Sequence, residues 1–437
     1  MILEQKTYYD VWMGGELAHQ VKKLHKKYDI EKVQFSNSRM IKDEFMYQCF
    51  GEGDSTFGFI DPNLSRRRRE VLSPLFSRRN IISLQRLVIE KVEKLCEKLT
   101  EYHDTSDAAD ISSTFRCTTM DIITSFCFAE SLNALDHKGF RHPVLVGVKI
   151  ALPMYWVFKH FRPVQWIFMH TPTWLSLLTS PETAGIMGVQ NSISDHLDRF
   201  LANPKSPAIA DHVIYHRLLD PENKRAGESL PTRHGLFDEA MALLIAGSDT
   251  VGNTLAVGGF HVLNNPSVYE KLFNELKKNW PVLEKSLGYE ELEKLPYLES
   301  LRVSHGVVSA LPRIVPPSGA TIGGAHILGG TVVGMSSPYV HTNEGIFPDA
   351  HRFIPERWLQ PNSKHLEHWL VPFSRGPRMC LGVNLAWCEL TIGFAHIFRK
   401  FDLRLHETTE RDIRWKEYFV PHFTGKRVQS FIKLRPS

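Results

Sequence analysis

The segment from about Leu236 to Leu263 constrains the fold of this chain most, because it is apolar nearly all round. A helix that is hydrophobic on every face must be buried, in the core of a large protein or in a membrane. The chain has 437 residues, of which 43% are hydrophobic and 23% charged, so it can bury a large core as a globular protein does. We therefore predict a long central helix that other helices surround.

Most of the remaining sequence has helical spacing. Apolar residues at i+3 and i+4 steps over residues 81–99 predict an amphipathic helix, and the Asn-Pro pair at 265–266 predicts a capped helix start. Three short pieces in residues 321–333 are separated by Gly-Gly pairs, which is typical of small hairpins. No linker is visible. We predict one mainly α domain, residues 1–437, with a minor β region after residue 310.

The central segment contains a polar interruption, Ala246-Gly-Ser-Asp-Thr250. A glycine inside a helix costs about 1 kcal/mol relative to alanine, and an aspartate on an apolar helix is costly unless it has a role. Gly247 and Asp249 therefore predict a helix that opens locally to admit a small ligand and a proton path. The alternative is a capped kink in which Asp249 makes its hydrogen bonds within the protein and has no functional role.

One of the six cysteines, Cys380, lies in the pattern F-x-x-G-x-R-x-C-x-G, from Phe373 to Gly382. The cysteines form no C-x-x-C pair, which indicates reduced thiols with one special member. A thiolate needs nearby donors or positive charge, which a tight turn at Gly376 and Gly382 and a helix beginning at residue 383 would supply. The alternative is an ordinary buried thiol on a glycine-rich loop.

This loop resembles the haem-binding signature of the cytochrome P-450 family. The resemblance implies that Cys380 is the axial ligand of a haem iron, where a thiolate favours O–O cleavage. Arg378 would pair with a haem propionate through its planar fork, and Phe373 would shield the sulfur from water. Gly376 and Gly382 would permit the turn and the close approach of the flat ring.

Other segments match the same family. The 246–250 interruption resembles its oxygen-activation motif, in which Thr250 would hydrogen-bond iron-bound dioxygen and Asp249 would relay protons. Ala246 and Gly247 would lie close to the haem and the dioxygen. These matches imply a haem b cofactor and a cytochrome P-450 fold.

A second set of matches concerns the support of the haem loop. Glu299 and Arg302 fit the family's E-x-x-R pattern, and residues 353–358 resemble its F-x-P-E-R-F/W segment. By resemblance, Glu299, Arg302 and Arg357 would form a buried charged triad that is structural and not directly catalytic.

Two further arginines are expected to reach the haem propionates by resemblance. Arg313 lies in Leu311-Pro-Arg-Ile-Val, and Arg69 ends the run Arg66–Arg69. The family usually has Trp or His four residues before this arginine, where this chain has Ser65, so one propionate contact is expected to be lost. For the run as a whole, the default interpretation is a solvated helix face.

The resemblance covers residues 8–436 and is greatest to fungal members that oxidise secondary metabolites. The chain departs from the family at two places. Residues 28–42 are too short for the usual strands, so we expect a shortened first β-sheet. Residues 298–302 lack more than a turn of the usual helix, which leaves open whether the scaffold is active.

Residues 151–178 are rich in aromatic side chains, with Lys159, His160 and Arg162 among them. Such a mixture suits a membrane interface, and an ordinary pair of core helices is the alternative. The family resemblance favours a peripheral membrane contact. The first residues contain no apolar run of membrane-spanning length. We expect a peripheral protein on the cytosolic face of the endoplasmic reticulum.

Three functions remain open from the sequence. The first is a haem-thiolate monooxygenase that takes electrons from an NADPH-dependent reductase and oxidises a lipophilic terpenoid or polyketide intermediate with dioxygen. The second is a degenerate or non-catalytic haem-binding protein. The third is a membrane-surface or nucleic-acid binding protein built on residues 66–69 and 151–178. The net charge of +4 is too small to favour nucleic acid.

Overall fold

The structure is a computed structural model of the whole chain. It describes residues 8–17, 19–20, 40–171, 184–203, 213–225, 227–285, 287–295 and 304–436.

Helices make up most of the described chain, and single π or 3₁₀ turns add short pieces between them. The α-helices are α1 (Glu44–Tyr47), α2 (Pro62–Leu72), α3 (Arg78–Thr100), α4 (Ile111–Phe128), α5 (Pro143–His160), α6 (Arg162–His170), α7 (Ala184–Ala202), α8 (Ile214–Leu219), α9 (Arg233–Leu263), α10 (Pro266–Asn279), α11 (Tyr289–Leu292), α12 (Ser337–His341), α13 (Lys364–Glu367) and α14 (Val383–Lys400). The π turn is Tyr8–Trp12, and the 3₁₀ turns are Gln48–Phe50, Ala134–Asp136, Lys138–Phe140, Pro221–Asn223 and Pro355–Trp358.

The strands are short and form small antiparallel sheets in the described residues. They are β1 (Ile41–Lys42), β2 (Ala109–Asp110), β3 (Arg313–Ile314), β4 (Ala320–Ile322), β5 (Ala325–Ile327), β6 (Val332–Val333), β7 (Phe401–His406), β8 (Trp415–Tyr418), β9 (Val420–Phe423) and β10 (Gln429–Leu434). Two sheets have three strands, in the orders β1-β3-β6 and β2-β10-β7, and β4-β5 and β8-β9 are two-stranded.

Helix α9 is the centre of the fold, as its uniform apolarity predicts. It packs most extensively on α4, and two glycines let the helices approach. A Cβ at Gly252 would lie 2.8 Å from the Cα of Arg116, and one at Gly247 would lie 2.5 Å from a side-chain carbon of Ile123. Both distances are shorter than Cβ contacts allow. Glycine at these two positions therefore lets α9 lie this close to α4.

Local sequence signals explain where several helices begin. Asn265 caps α10, with its side chain accepting from the backbone N–H of Val268, and Pro266 takes the first helical position. The predicted amphipathic helix is α3, which is capped by Ser77 and buries the apolar face expected of it. The helix after the Cys380 loop begins at Val383 and runs to Lys400.

The minor β region lies where it was expected, but one pairing differs. β4 and β5 form the predicted hairpin, with Thr321 opposite His326. β6 does not pair with β5; it pairs with β3, where Val333 lies opposite Arg313. The pairing of β3 with β6 continues one residue beyond the strands, because the Val315 N–H donates to the carbonyl of Thr331 at 2.9 Å. The described part of the first sheet has only two-residue strands, and the shortened stretch before Met40 lies outside the described residues.

One helix of the described chain, α9, is long and apolar enough to cross a membrane by length and composition. Its most apolar window is 67% buried inside the protein, which is the behaviour of a core helix.

Candidate functional site: a cavity around Cys380

A cavity of about 1180 Å³ lies between α9, the Cys380 loop and the segment that precedes α2. This volume is slightly above the usual range of about 300–1,000 Å³ for small-molecule sites. Its lining is mostly apolar and includes Phe76, Leu243, Leu385 and Leu390. Both predicted motifs meet here, because Cys380 and Thr250 line the same space.

The Cys380 loop is a tight turn closed by its own backbone. Gly376 has φ of 82°, a left-handed conformation that glycine adopts without strain. The Cys380 N–H donates to the carbonyl of Phe373 at 2.9 Å, and the Phe373 ring packs edge-on against Trp387 at 5.3 Å. A Cβ at Gly382 would meet nothing within 4 Å, so this side of the loop is open.

Protein surrounds the Cys380 thiol on most sides, while the cavity leaves the residue exposed. Burial raises its pKa, while a hydrogen bond from the Gly382 backbone and the charge of Arg69 act in the opposite direction. These are the donor and the positive charge that a bound thiolate requires, and a coordinated metal deprotonates a thiol outright.

Four buried or half-buried cationic side chains line the cavity: Lys42, Arg69, Arg313 and Arg378. Arg375 also lines it but is exposed, and it donates to the carbonyl of Glu367 at 3.0 Å. Burial lowers the pKa of Lys42 well below its usual value, and the three arginines lower it further. Burial and Arg313 together lower the pKa of Arg378 to about 10. Among the described residues, no carboxylate forms an ion pair with any of the four.

The hydrogen bonds of these cations go to neutral groups. Arg313 donates to the Tyr47 hydroxyl at 2.7 Å, and Arg378 donates to the carbonyl of Phe59 at 3.0 Å. The Arg378 Nη1 is buried and has no partner in the described protein. Like charges are gathered here without a counter-ion, which fits a bound group that carries carboxylates, as the two propionates of haem do.

The distal side of the cavity is formed by Asp249 and Thr250 of α9. The Thr250 hydroxyl donates to the carbonyl of Ala246 at 2.8 Å. Asp249 is buried and forms an ion pair with Arg116 of α4, and the Asn253 side chain donates to its Oδ2 at 3.3 Å. Asp249 is therefore charge-compensated, while Thr250 presents its side chain to the cavity.

The expectation that α9 opens locally is wrong, because the helix is continuous from Arg233 to Leu263. The structure gives Gly247 a packing reason instead, since Ile123 of α4 fills the space that a side chain would need. Ala246 and Gly247 still line the cavity, as expected.

The arginine run on α2 is not the solvated face that was its default interpretation. Arg66 is exposed, but Arg67 forms a bidentate pair with Glu228 at 2.7 and 2.9 Å. Arg68 pairs with the buried Glu239 at 3.0 Å, and Arg69 turns to the cavity. Glu228, the buried Glu239 and the cavity each engage one of the last three arginines, so the run does not form a continuous basic surface patch.

The predicted supporting triad is only partly within the described residues. Glu299 and Arg302 lie outside them, so their pairing stays a prediction. Arg357 donates to the carbonyls of Pro348 at 3.1 Å and Asp349 at 3.3 Å, which ties together the loop before the 3₁₀ turn.

The aromatic stretch 151–178 is described up to residue 171. Two of its basic side chains point inward: Lys159 and His160 both bind the buried Asp10, at 2.6 and 2.9 Å. The exposed part is the apolar face of α6. Among the large apolar side chains of α6 that the structure describes, Trp166 at 64% and Ile167 at 59% are the most exposed.

Three functional candidates were missed by the sequence. The sequence around Arg116 does not distinguish it from other helix residues. Its ion pair with Asp249 becomes visible only when α4 lies beside α9. Lys42 and Tyr47 join the cation cluster, where the Lys42 Nζ lies 4.0 Å from the Tyr47 ring centroid. A lysine in a two-residue strand carries no sequence signal of burial.

Comparison with known proteins decides the family. The Cytochrome P-450 family model matches residues 3–424. The chain belongs to the cytochrome P-450 family. It is 35% identical to the cytochrome P-450 monooxygenase macH of Penicillium terrestre, over 89% of this chain and 78% of that protein. It is 31% identical to the cytochrome P-450 monooxygenase MO6277 of Ascocoryne sarcoides, over 95% of this chain and 88% of that protein.

The fold agrees with solved members of the family. The haem domain of cytochrome P-450DA superimposes with a TM-score of 0.75 at 16% identity, covering 97% of this chain and 94% of that one. The predicted fold class is confirmed, and so is the likeness to fungal members of the family. As a cytochrome P-450, the chain is a haem-dependent monooxygenase, which does not favour the degenerate-protein alternative. The family implies a haem bound through a cysteine thiolate, a redox partner, dioxygen and a small-molecule substrate.

Proposed function

We propose that Cys380 is the axial ligand of a haem b, and that the enzyme inserts one oxygen atom of dioxygen into a lipophilic small molecule. The observation that carries this proposal is the placement of the Cys380 sulfur and the Thr250 side chain on one large apolar cavity. When bound, the haem supplies the cleavage of dioxygen and the oxidation of the substrate.

The four cavity cations would hold the haem through its propionates. Arg69, Arg313 and Arg378 were expected from the sequence, and Lys42 is added by the structure. The absence of a carboxylate partner within the described protein supports this role, because each cation keeps donors for an external anion. Phe373 and Trp387 would keep water from the sulfur.

The proton path would run through the distal pair on α9. Arg116 keeps Asp249 in place beside Thr250, and Asn253 binds the second carboxylate oxygen. To accept a proton from solvent, Asp249 must leave Arg116, so that ion pair would control when a proton moves. The Thr250 hydroxyl would then hold the proton at its Oγ1, after exchanging its bond to Ala246 for one to the reacting oxygen.

The apolar lining favours a lipophilic substrate, and we propose a terpenoid or polyketide intermediate of fungal secondary metabolism. Electrons would come from an NADPH-dependent reductase. The exposed face of α6, with Trp166 and Ile167, would contact the cytosolic surface of the endoplasmic reticulum as a peripheral element.

A spectrum of the purified protein tests the proposal. With haem supplied, the reduced carbon-monoxide complex should give the long-wavelength Soret band of a thiolate ligand. With a reductase and NADPH, a Thr250→Ala variant should keep this band but release more of the consumed oxygen as peroxide. A folded, haem-loaded protein without the band would refute haem-thiolate chemistry, and unchanged coupling in the variant would remove Thr250 from proton delivery.

A further inference from the structure

One end of the cavity is closed by the segment Glu52–Phe59, which docks on the N-terminal part of α9. The Asp54 N–H donates to the Asp238 carboxylate at 3.0 Å. The Thr56 N–H donates to Oε2 of Glu239 at 2.8 Å. Two buried carboxyls of α9 therefore fix this segment over the cavity.

Glu239 has one oxygen to spare. Its Oε2 accepts from Thr56 and from Arg68, the latter at 3.0 Å. Its Oε1 is buried and has no partner in the described protein, although the residue lines the cavity and is 0% exposed. A buried carboxylate oxygen without a donor is costly, which points to a donor that is brought by a ligand.

Glu52 lies on the same wall, and its side chain forms no hydrogen bond or ion pair within the described part of the chain, although its carbonyl accepts from the Ser55 hydroxyl at 2.8 Å. Burial raises its pKa to about 8, and the nearby charges of Asp238 and Glu239 contribute. This carboxyl is therefore held in its neutral form near pH 7. Two carboxyls with unused oxygens thus face one end of an otherwise apolar space.

Aromatic rings line the cavity next to these carboxyls. The Phe50 ring centroid lies 5.1 Å from that of Tyr155 and 5.0 Å from that of Phe419. Burial raises the pKa of Tyr155, and the charge of Glu52 raises it further, so that ring is close to the carboxyl. Phe57 also belongs to the cluster, but the Lys42 Nζ lies 4.5 Å from its centroid.

We propose that this end of the cavity, formed by Glu52, Glu239, Phe50, Tyr155 and Phe419, binds an alkylammonium group of the substrate. The inference rests on the proposed function, because it assigns the class of molecule that the monooxygenase accepts. The substrate would be a lipophilic amine whose apolar part extends towards Cys380.

The chemistry of the site favours a cation over a neutral donor. Ammonium groups bind to aromatic faces and to carboxylates, and both interactions are strong where water is excluded. Binding of a cation would make ionisation of Glu52 favourable, so the carboxyl would lose its proton when the ligand enters. The same wall would reject a carboxylate, because like charges would meet in a buried place.

Two matched probes test the proposal on the haem-bound enzyme. Phenylbutyltrimethylammonium cannot coordinate iron, and its carbon isostere has a tert-butyl group in place of the charged head. Their dissociation constants are measured from the shift of the Soret band at about pH 8, where Glu52 releases its proton readily. We expect the wild type to bind the ammonium about tenfold more tightly than the isostere.

Glu52→Gln should remove most of this preference and change the affinity for the neutral isostere less than about twofold. Glu44→Gln is the matched control, because Glu44 is exposed on α1 near the same segment, and it should keep the wild-type preference. Tyr155→Leu should lower the preference by about threefold through the lost ring. This variant tests the site independently if Glu52→Gln does not retain haem.

A wild type that binds both probes equally overturns the proposal without any variant. An ammonium preference that survives in Glu52→Gln also overturns it. These outcomes differ from a failure of the proposed function, which would appear as the loss of the thiolate band in the reduced carbon-monoxide spectrum of the wild type.

Discussion

Two polar regions of the cavity are built in opposite ways. On the side of Cys380, four cations gather without a carboxylate partner in the described protein. On α9, by contrast, the buried carboxylates Asp249 and Glu239 each have an arginine, Arg116 and Arg68, on a neighbouring helix. The first region lacks a compensating charge, while in the second each of these two carboxylates has a cationic partner within the protein.

The difference teaches how to separate ligand-holding charges from structural charges. Burying an unpaired charge is expensive, so a protein keeps several like charges together only where a ligand compensates them. A pair such as Arg116 and Asp249 needs no ligand, and losing one partner leaves the other buried and alone. Removing a charge should therefore have opposite consequences for stability in the two regions.

The largest effect is expected at the paired site. Arg116→Met should lower the free energy of unfolding by about 3–5 kcal/mol, because Asp249 would remain as an uncompensated buried charge. Urea unfolding measures this change. Adding Asp249→Asn to the same chain should recover part of the loss.

An exposed ion pair is the control for this variant. Arg199 pairs with Glu130 at 2.7 Å, and both side chains are about 60% exposed, so Arg199→Met should cost less than about 1 kcal/mol. Equal losses at Arg116 and Arg199 would contradict the contrast between buried and surface pairs.

The next effect is expected at the unpaired cations. The Arg69 side chain forms no hydrogen bond or ion pair in the described protein, so Arg69→Leu should leave the unfolding free energy of the haem-free protein unchanged or higher. Haem affinity, measured by titration of that protein, should fall by about 10- to 100-fold as charge-assisted bonds are lost. Arg66→Leu, on the exposed face of α2, should change neither quantity. A destabilised haem-free protein would show that Arg69 has a structural partner.

The two regions also differ in how far the sequence predicts them. The motif spacing around Cys380 and Thr250 predicts both sides of the cavity, because those patterns are local in the chain. The partner of Asp249 could not be predicted, since Arg116 is brought to it only when Gly252 lets α4 and α9 touch. Lys42 likewise joins the cations only through tertiary packing, and the sequence around a two-residue strand does not predict that packing.

The arginine run, residues 66–69, also shows that local sequence patterns cannot predict contacts between distant parts of the chain. Four basic residues in succession favour a solvated face, yet Arg67 and Arg68 pair with Glu228 and Glu239 from distant parts of the chain. Local charge patterns predict surfaces well only when no buried acid lies opposite. The helix α9, in contrast, was predictable within a few residues because its apolarity leaves no other solution.

A smaller effect is expected at Glu52, the carboxyl that has no arginine. Its pKa is about 8 in the folded protein and 4.5 without the fold, so the unfolded chain loses this proton first as the pH rises. The wild type should therefore lose stability between about pH 5 and pH 8 relative to Glu52→Gln, which cannot titrate. We expect the stability advantage of the variant over the wild type to grow as the pH rises from 5 to 8, measured by urea unfolding of the haem-free protein. A difference that does not change with pH would mean that Glu52 is ionised throughout.

The smallest effect is expected on the outside of the molecule, at α6. Trp166→Ser combined with Ile167→Ser should lower binding to phosphatidylcholine vesicles by about five- to tenfold, or about 1 kcal/mol, because two apolar side chains no longer enter the interface. Leu328→Ser is the control, since Leu328 is 71% exposed on another element. Equal losses in both variants would assign the binding to general hydrophobicity and not to α6.

The central claim is that Cys380 holds the haem that completes the unpaired region. The most direct measurement is the reduced carbon-monoxide spectrum of Cys380→Ala, with Cys388→Ala as the control from a buried cysteine of α14. The account predicts that the long-wavelength Soret band disappears in Cys380→Ala and remains in Cys388→Ala. A band that persists in Cys380→Ala would contradict it.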